Sequence, residues 1–237
     1  MDATEIQSRY AAGERNFRGV DLSNIDLSNI NLSEADLTEA NLTGANLSDA
    51  NLSETNLTGA NLIAAELIFT KLNDANLRDA NLTDSHLIGA KLSIAKLSNA
   101  NLIGANLISA DLSGADLSGA YLSDAYLSDA SLIKANLSNA NLSSANLSIS
   151  NLIGANFSGA NLVCANLMGA NLIEANLDGA NLNEAKLYRA NLAHAKLREA
   201  SLRHADLTDA NLAGTDLTDA NLENAKLQGT ILALTRL

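Results

Sequence analysis

The sequence predicts an all-β fold: a quadrilateral parallel β-helix that bends every five residues and completes a coil every twenty. Three observations predict it. Stepping by five from Phe17 to Leu237 meets 45 centres, of which 43 are Leu and the others Phe17 and Phe157. Two residues before the centre stands Ala in most repeats. The replacements are Val20, Ile25 and Ile30 early on, then Thr55, Thr70, Ser85, Ser150, Thr215, Thr230 and Thr235. Two residues after a centre lie 13 of the 14 glycines, sharing that place with Asn and Asp as at Asn24, Asp49 and Asp124.

The period excludes the common elements. Five residues of α-helix advance about 140°, so the leucines would smear around the cylinder. A flat strand alternates faces with period two, so an odd repeat would send successive leucines to opposite sides. A backbone that bends near 90° at each repeat keeps every leucine facing one axis, and four such repeats close a square. Coils then stack at about 4.8 Å, and the 45 repeats make about eleven coils, roughly 50 Å in all. Gly, Asn and Asp suit the dihedrals of a corner. The absence of Pro fits a ladder in which nearly every backbone N–H is needed.

Stretches such as Ala40-Asn41-Leu42-Thr43-Gly44 and Ala110-Asp111-Leu112-Ser113-Gly114 resemble the A(D/N)LXX motif of the pentapeptide-repeat family. The resemblance implies a right-handed quadrilateral β-helix with Leu and Ala inside. The lead-in Tyr10-Ala11-Ala12-Gly13-Glu14-Arg15-Asn16-Phe17 is also similar to that of cyanobacterial members, among them a regulator of heterocyst differentiation.

Two segments follow: residues 1–14 as an N-terminal helical cap and residues 15–237 as a single repeat domain. The cap reads as a short helix begun by Asp2 or Thr4 and stopped at Gly13, with Ile6 and Tyr10 over the first coil. At the other end Ile231, Leu232, Leu234 and Leu237 carry no such lid, which predicts a C-terminal contact with a second copy of the chain.

Composition narrows the functional classes. One cysteine, Cys164, rules out an internal disulfide and fits a reducing, cytoplasmic setting. Neither a signal peptide nor an apolar run of membrane-spanning length is expected. His194 and His204 are ten residues apart, on opposite faces, and His86 lies more than five coils from His194. Cys164 and His204 share a face but lie two coils apart, too far for a shared metal or a nucleophile–base pair. No phosphate loop, CxxC or HExxH occurs, so neither an enzyme nor a cofactor is expected.

Residues twenty apart stack on one face, which makes the walls readable. The position after each centre normally holds Ser or Thr. Ile68, Ile88 and Ile108 break that rule at spacings of twenty, with Ile63, Ile103 and Phe69 near their edge, and Ile133, Ile153 and Ile173 repeat the pattern on the adjacent face. Such stripes suit strand packing and equally suit a partner-binding surface. Charge is uneven: residues 21–129 carry 15 acids and 4 bases, for −11 of the total −12. Residues 130–237 carry 9 acids and 8 bases, with Lys186, Arg189, Lys196, Arg198 and Arg203 grouped. Glu34, Glu54 and Asp74, spaced by twenty, form an acidic column. This charge disfavours direct binding to nucleic acid or to a membrane. The expected function is a non-enzymatic scaffold or regulatory rod whose faces bind a protein partner. The alternative is a DNA mimic acting on a type II topoisomerase, as resemblance to quinolone-resistance members of the family implies.

Overall fold

The computed structural model describes residues 1–236, and leucines form its axis. The residue before each centre pairs in parallel with its equivalent twenty residues on, from Asn16↔Asp36 through Asp216↔Arg236. Four repeats therefore make one coil, as the period predicts. Each wall holds a single pairing residue per coil, so the sheet is built from one-residue strands.

Why the coil closes so tightly is visible in the fate of its amides. The N–H of Leu22 donates to Asn41 O on the next coil (2.8 Å), and that of Asn24 to Thr43 O (2.9 Å). The N–H of Ile25 folds back on Leu22 O (3.3 Å), closing a turn, while that of Asn41 reaches Val20 O on the coil before (2.9 Å). The fifth, Ser23 N–H, donates to its own repeat's Asp21 Oδ1 (3.1 Å). In a repeat with Asn or Asp before its centre all five kinds of backbone donor are thus placed. Every corner residue from Gly19 to Leu234 has positive φ, near +60°, as the third residue of a type II turn requires.

The core is correspondingly plain. Leucine centres from Leu22 to Leu217 and the Ala column beside them are buried. The polar intruders are satisfied: Thr55 Oγ1 donates to Leu52 O (2.6 Å), Thr70 Oγ1 to Leu47 O (2.7 Å) and Ser150 Oγ to Leu147 O (2.6 Å). Among the described residues no buried side-chain nitrogen or oxygen lacks a partner.

One helix precedes the coils. α1 spans Ala3–Ala11, with Asp2 at its N-cap accepting from the Glu5 N–H (2.8 Å). Of the two starts the sequence allows, the structure takes Asp2. Ile6 is fully buried in the main core, and the Tyr10 hydroxyl donates to Ser33 O (3.0 Å). Gly13, at φ +96°, follows the helix.

Candidate functional site

The walls display the side chains that the core does not use. Ile68, Ile88 and Ile108 stack as the spacing predicts: Phe69 N–H donates to Ile88 O and Gly89 N–H to Ile108 O, each at 3.0 Å. Each isoleucine is half-buried, so its outer face alone meets solvent. Phe69, at the corner beside them, is 58% exposed. Its ring lies over Gly89, where a Cβ would come within 2.4 Å of the ring Cε1. Ile133, Ile153 and Ile173 form the second stripe, also half-buried, with Lys134, Gly154 and Glu174 as its corners. Ile63 and Ile103 occupy a different wall, separated by Thr83, and do not widen the first stripe.

Several exposed apolar residues escaped sequence reasoning. Ile94 and Ile149 project from corners at φ +63° and +54°, backbone that β-branched residues rarely adopt. Met168, also exposed, and the half-buried Tyr188 continue the column of Ile108 further along the chain. Counting by twenties from Ile108 would have found the last two. The corner isoleucines stand in two different columns: Ile94 follows Glu34, Glu54 and Asp74, which give no such signal, whereas Ile149 lies four coils after Phe69 in the same column.

Glu34, Glu54 and Asp74 do form an exposed column, and it ends at Ile94. The grouped bases of the second half are largely matched by acids one coil on. Arg198 Nε meets Asp216 Oδ2 at 2.7 Å, Arg203 Nη2 meets Glu223 Oε2 at 3.0 Å, and Arg189 lies 3.9 Å from Asp209. A hydrogen bond from Thr218, then one from Arg198, pulls Asp216 down to about 2.

His86 Nδ1 lies 2.8 Å from Glu66 Oε1, one coil back. Glu184 stands between Cys164 and His204 in their shared column, and the Cys164 thiol is 3.7 Å from its Oε2. Among the described residues no three His, Cys, Asp or Glu side chains converge as a metal site. An open depression of about 530 Å³ is lined by Glu184, Lys186, His204, Asp206 and Lys226, with both signs of charge interspersed. Among the described residues no helix is long and apolar enough to cross a membrane.

On the last described coil Ile231, Leu232 and Leu234 are 53%, 46% and 89% exposed. Leu237, expected beside them, lies outside the described residues.

Compared with known proteins, the chain matches the family model of pentapeptide repeats in eight copies, over residues 16–53, 40–79, 85–124, 120–148, 150–187, 185–224 and 215–237. None of the curated proteins matches it. Among solved structures it is similar to HetL, a pentapeptide repeat protein involved in heterocyst differentiation regulation from the cyanobacterium Nostoc sp. strain PCC 7120. The identity is 36% over 100% of this chain and 95% of that one, with a TM-score of 0.43. Rfr23 from the cyanobacterium Cyanothece 51142 is 34% identical over 51% of this chain and 63% of its own, at a TM-score of 0.26. QnrB1, a plasmid-mediated fluoroquinolone resistance protein, is 20% identical over 88% and 89% of the two chains, at a TM-score of 0.45.

Proposed function

The chain belongs to the pentapeptide-repeat family, whose fold is a right-handed quadrilateral β-helix, and from that premise we propose that it is a non-enzymatic binding rod. In this reading about eleven coils, closed at one end by α1, present a wall that holds a protein partner in the cytoplasm. One observation carries the proposal: the stripe Ile68–Ile88–Ile108 with the exposed Phe69 ring at its edge. A contiguous apolar surface bordered by polar residues commonly marks a contact site. Side chains that could act as nucleophile, base or metal ligand stand apart or pair with a neighbour on the next coil, which favours binding over catalysis.

The test is affinity capture with crosslinking and mass spectrometry from the native host. The triple variant Ile68→Asp/Ile88→Asp/Ile108→Asp should lose proteins that the wild type retains. An unchanged set of captured proteins removes this wall from the proposal. Contact between two copies through Ile231, Leu232 and Leu234 forms part of the same reading, supported by their exposure. Light scattering should then give a dimer mass that falls to a monomer in Leu232→Asp/Leu234→Asp, and a monomeric wild type would refute the contact.

A second reading, a DNA mimic acting on a type II topoisomerase, draws on the −11 charge of residues 21–129 and the exposed column Glu34, Glu54 and Asp74. Such a rod would compete for a basic DNA-binding groove. It should inhibit gyrase supercoiling or protect the enzyme from quinolones, and the absence of both effects excludes it.

A further inference from the structure

Resting on the protein-binding reading and narrowing it, we propose that the partner of the Ile68–Ile88–Ile108 wall is an acidic amphipathic helix. Its apolar row lies along the stripe, and its carboxylates face Lys71 and Lys91.

The position before each centre is where Asn or Asp serves the fold. Asn76, for example, donates from Nδ2 to Asn56 Oδ1 one coil back (3.2 Å) and accepts the Arg78 N–H on Oδ1 (3.4 Å). Lys71 and Lys91 occupy this position on consecutive coils and pair directly with each other. A lysine has no acceptor, so neither can take the amide of Asn73 or Ser93. Both are exposed, and they place like charges on neighbouring coils about 4.8 Å apart. Among the described residues neither has a carboxylate within 4.0 Å.

Phe69 is a second departure from what the coil prefers. It holds φ +55° at a corner that Gly, Asn and Asp occupy more comfortably, and it exposes a ring to water. These departures lie together: Ile68, Phe69 and Lys71 fall within four residues, and Ile88 and Lys91 repeat them one coil on. Local rules broken at one place, without gain to the fold, mark a place kept for something else.

The chemistry of that place selects the occupant. Lys71 and Lys91 are two of only four bases in a stretch carrying 15 acids; Arg78 and Lys96 lie in other columns, so these two are the bases stacked beside the apolar stripe, with Asp111 following them on the next coil. Nucleic acid brings phosphate but no apolar row to cover the isoleucines. A helix with apolar residues at i, i+4 and i+7 presents one row rising about 5.4 Å per turn. That nearly matches the coil spacing of about 4.8 Å, so successive turns meet successive isoleucines. Acidic residues along one flank then reach the two lysines.

The test uses the full chain and two labelled synthetic helices about eighteen residues long, with Leu at i, i+4, i+7 and i+11. One carries Glu along its flanks and the other Lys. By fluorescence anisotropy the wild type should bind the acidic helix roughly tenfold more tightly than the basic one. K71E/K91E should reverse that preference, and F69N should weaken binding of both helices. Thermal melting separates function from structure: K71N, K91N and F69N, which restore the residue types the coil prefers, should keep or raise the melting temperature while losing the acidic helix. Equal binding of the two helices, a preference that survives K71E/K91E, or a lowered melting temperature in K71N/K91N overturns the inference. So does a wild-type oligomer that dissociates in K71E/K91E, which would assign the wall to a second copy. Failure here with host capture still lost in the triple aspartate variant removes only the acidic helix, whereas capture indifferent to that variant removes the wall itself.

Discussion

Asn156 shows how much one side chain does in this coil. Its Nδ2 donates to Asn136 Oδ1 (3.0 Å), while its Oδ1 accepts from Ser158 N–H (3.1 Å) and from Asn176 Nδ2 (3.2 Å). Asn156→Ala should therefore cost about 1–3 kcal/mol, measured by urea unfolding. The preference for Asn or Asp before each centre was legible in the sequence, but its reason was not. The reason is a ladder between coils, invisible until residues twenty apart are seen side by side. Where that position is Lys196 or Ser201, the sequence repairs the loss differently: Arg198 N–H donates to Asp178 Oδ1 (2.9 Å) and Arg203 N–H to Asn183 Oδ1 (3.0 Å). Corner dihedrals were legible only where Gly, Asn or Asp announced them. Ile94 adopts φ +63° because the coils on either side leave it no choice. Ile94→Asn should stabilise the chain by roughly 1 kcal/mol, seen as a higher urea midpoint. Asp216 adds a pH dependence. Its folded value, about 2, is below the ordinary 3.8, so its contribution is complete above 3.8 and is lost as pH falls through 2. Thr218→Val, which removes the leading hydrogen bond, should raise the Asp216 titration midpoint in a carboxyl NMR titration.

At the scale of elements, α1 and the first coils form one unit. Ile6 sits in the same core as Phe17, Leu22 and Leu27, and Arg9 ties the helix end to Glu14. Ile6→Ala should cost about 2–4 kcal/mol. Because each coil touches only its neighbours, the loss should appear first as faster amide exchange in residues 17–40, with later coils still protected. The helix was readable from the Ile6–Tyr10 spacing, and its start was narrowed to Asp2 or Thr4, of which the structure takes Asp2. The Tyr10–Ser33 contact was not, since a four-residue spacing says nothing about which coil the helix meets. Stripe positions were also readable, because adding twenty is enough to find them. Their half-burial was not, for it depends on how far neighbouring side chains along the column lean over each isoleucine.

Across the whole molecule, the period of twenty governs what the chain tolerates. Removing residues 136–155, one full coil, should leave every column in register and give a cooperative fold with an unchanged circular dichroism spectrum. Removing residues 136–140 alone should also fold, yet it turns everything after the deletion by one wall. Ile153 and Ile173 would then leave the wall of Ile133, while small-angle scattering would still report a normal rod. The corners add a property that no single repeat has. Wherever a corner glycine follows a side-chain-bearing corner one coil earlier, that earlier side chain leans over it: Asn24 over Gly44, Phe69 over Gly89, Lys134 over Gly154, His194 over Gly214. The lean always runs toward the C-terminal coils, like tiles laid from eave to ridge. Such a surface has a grain, and a helix laid along it head-first meets different contours from the same helix laid tail-first. The rod thus dictates polarity to anything that docks lengthwise, even where its composition repeats almost without change.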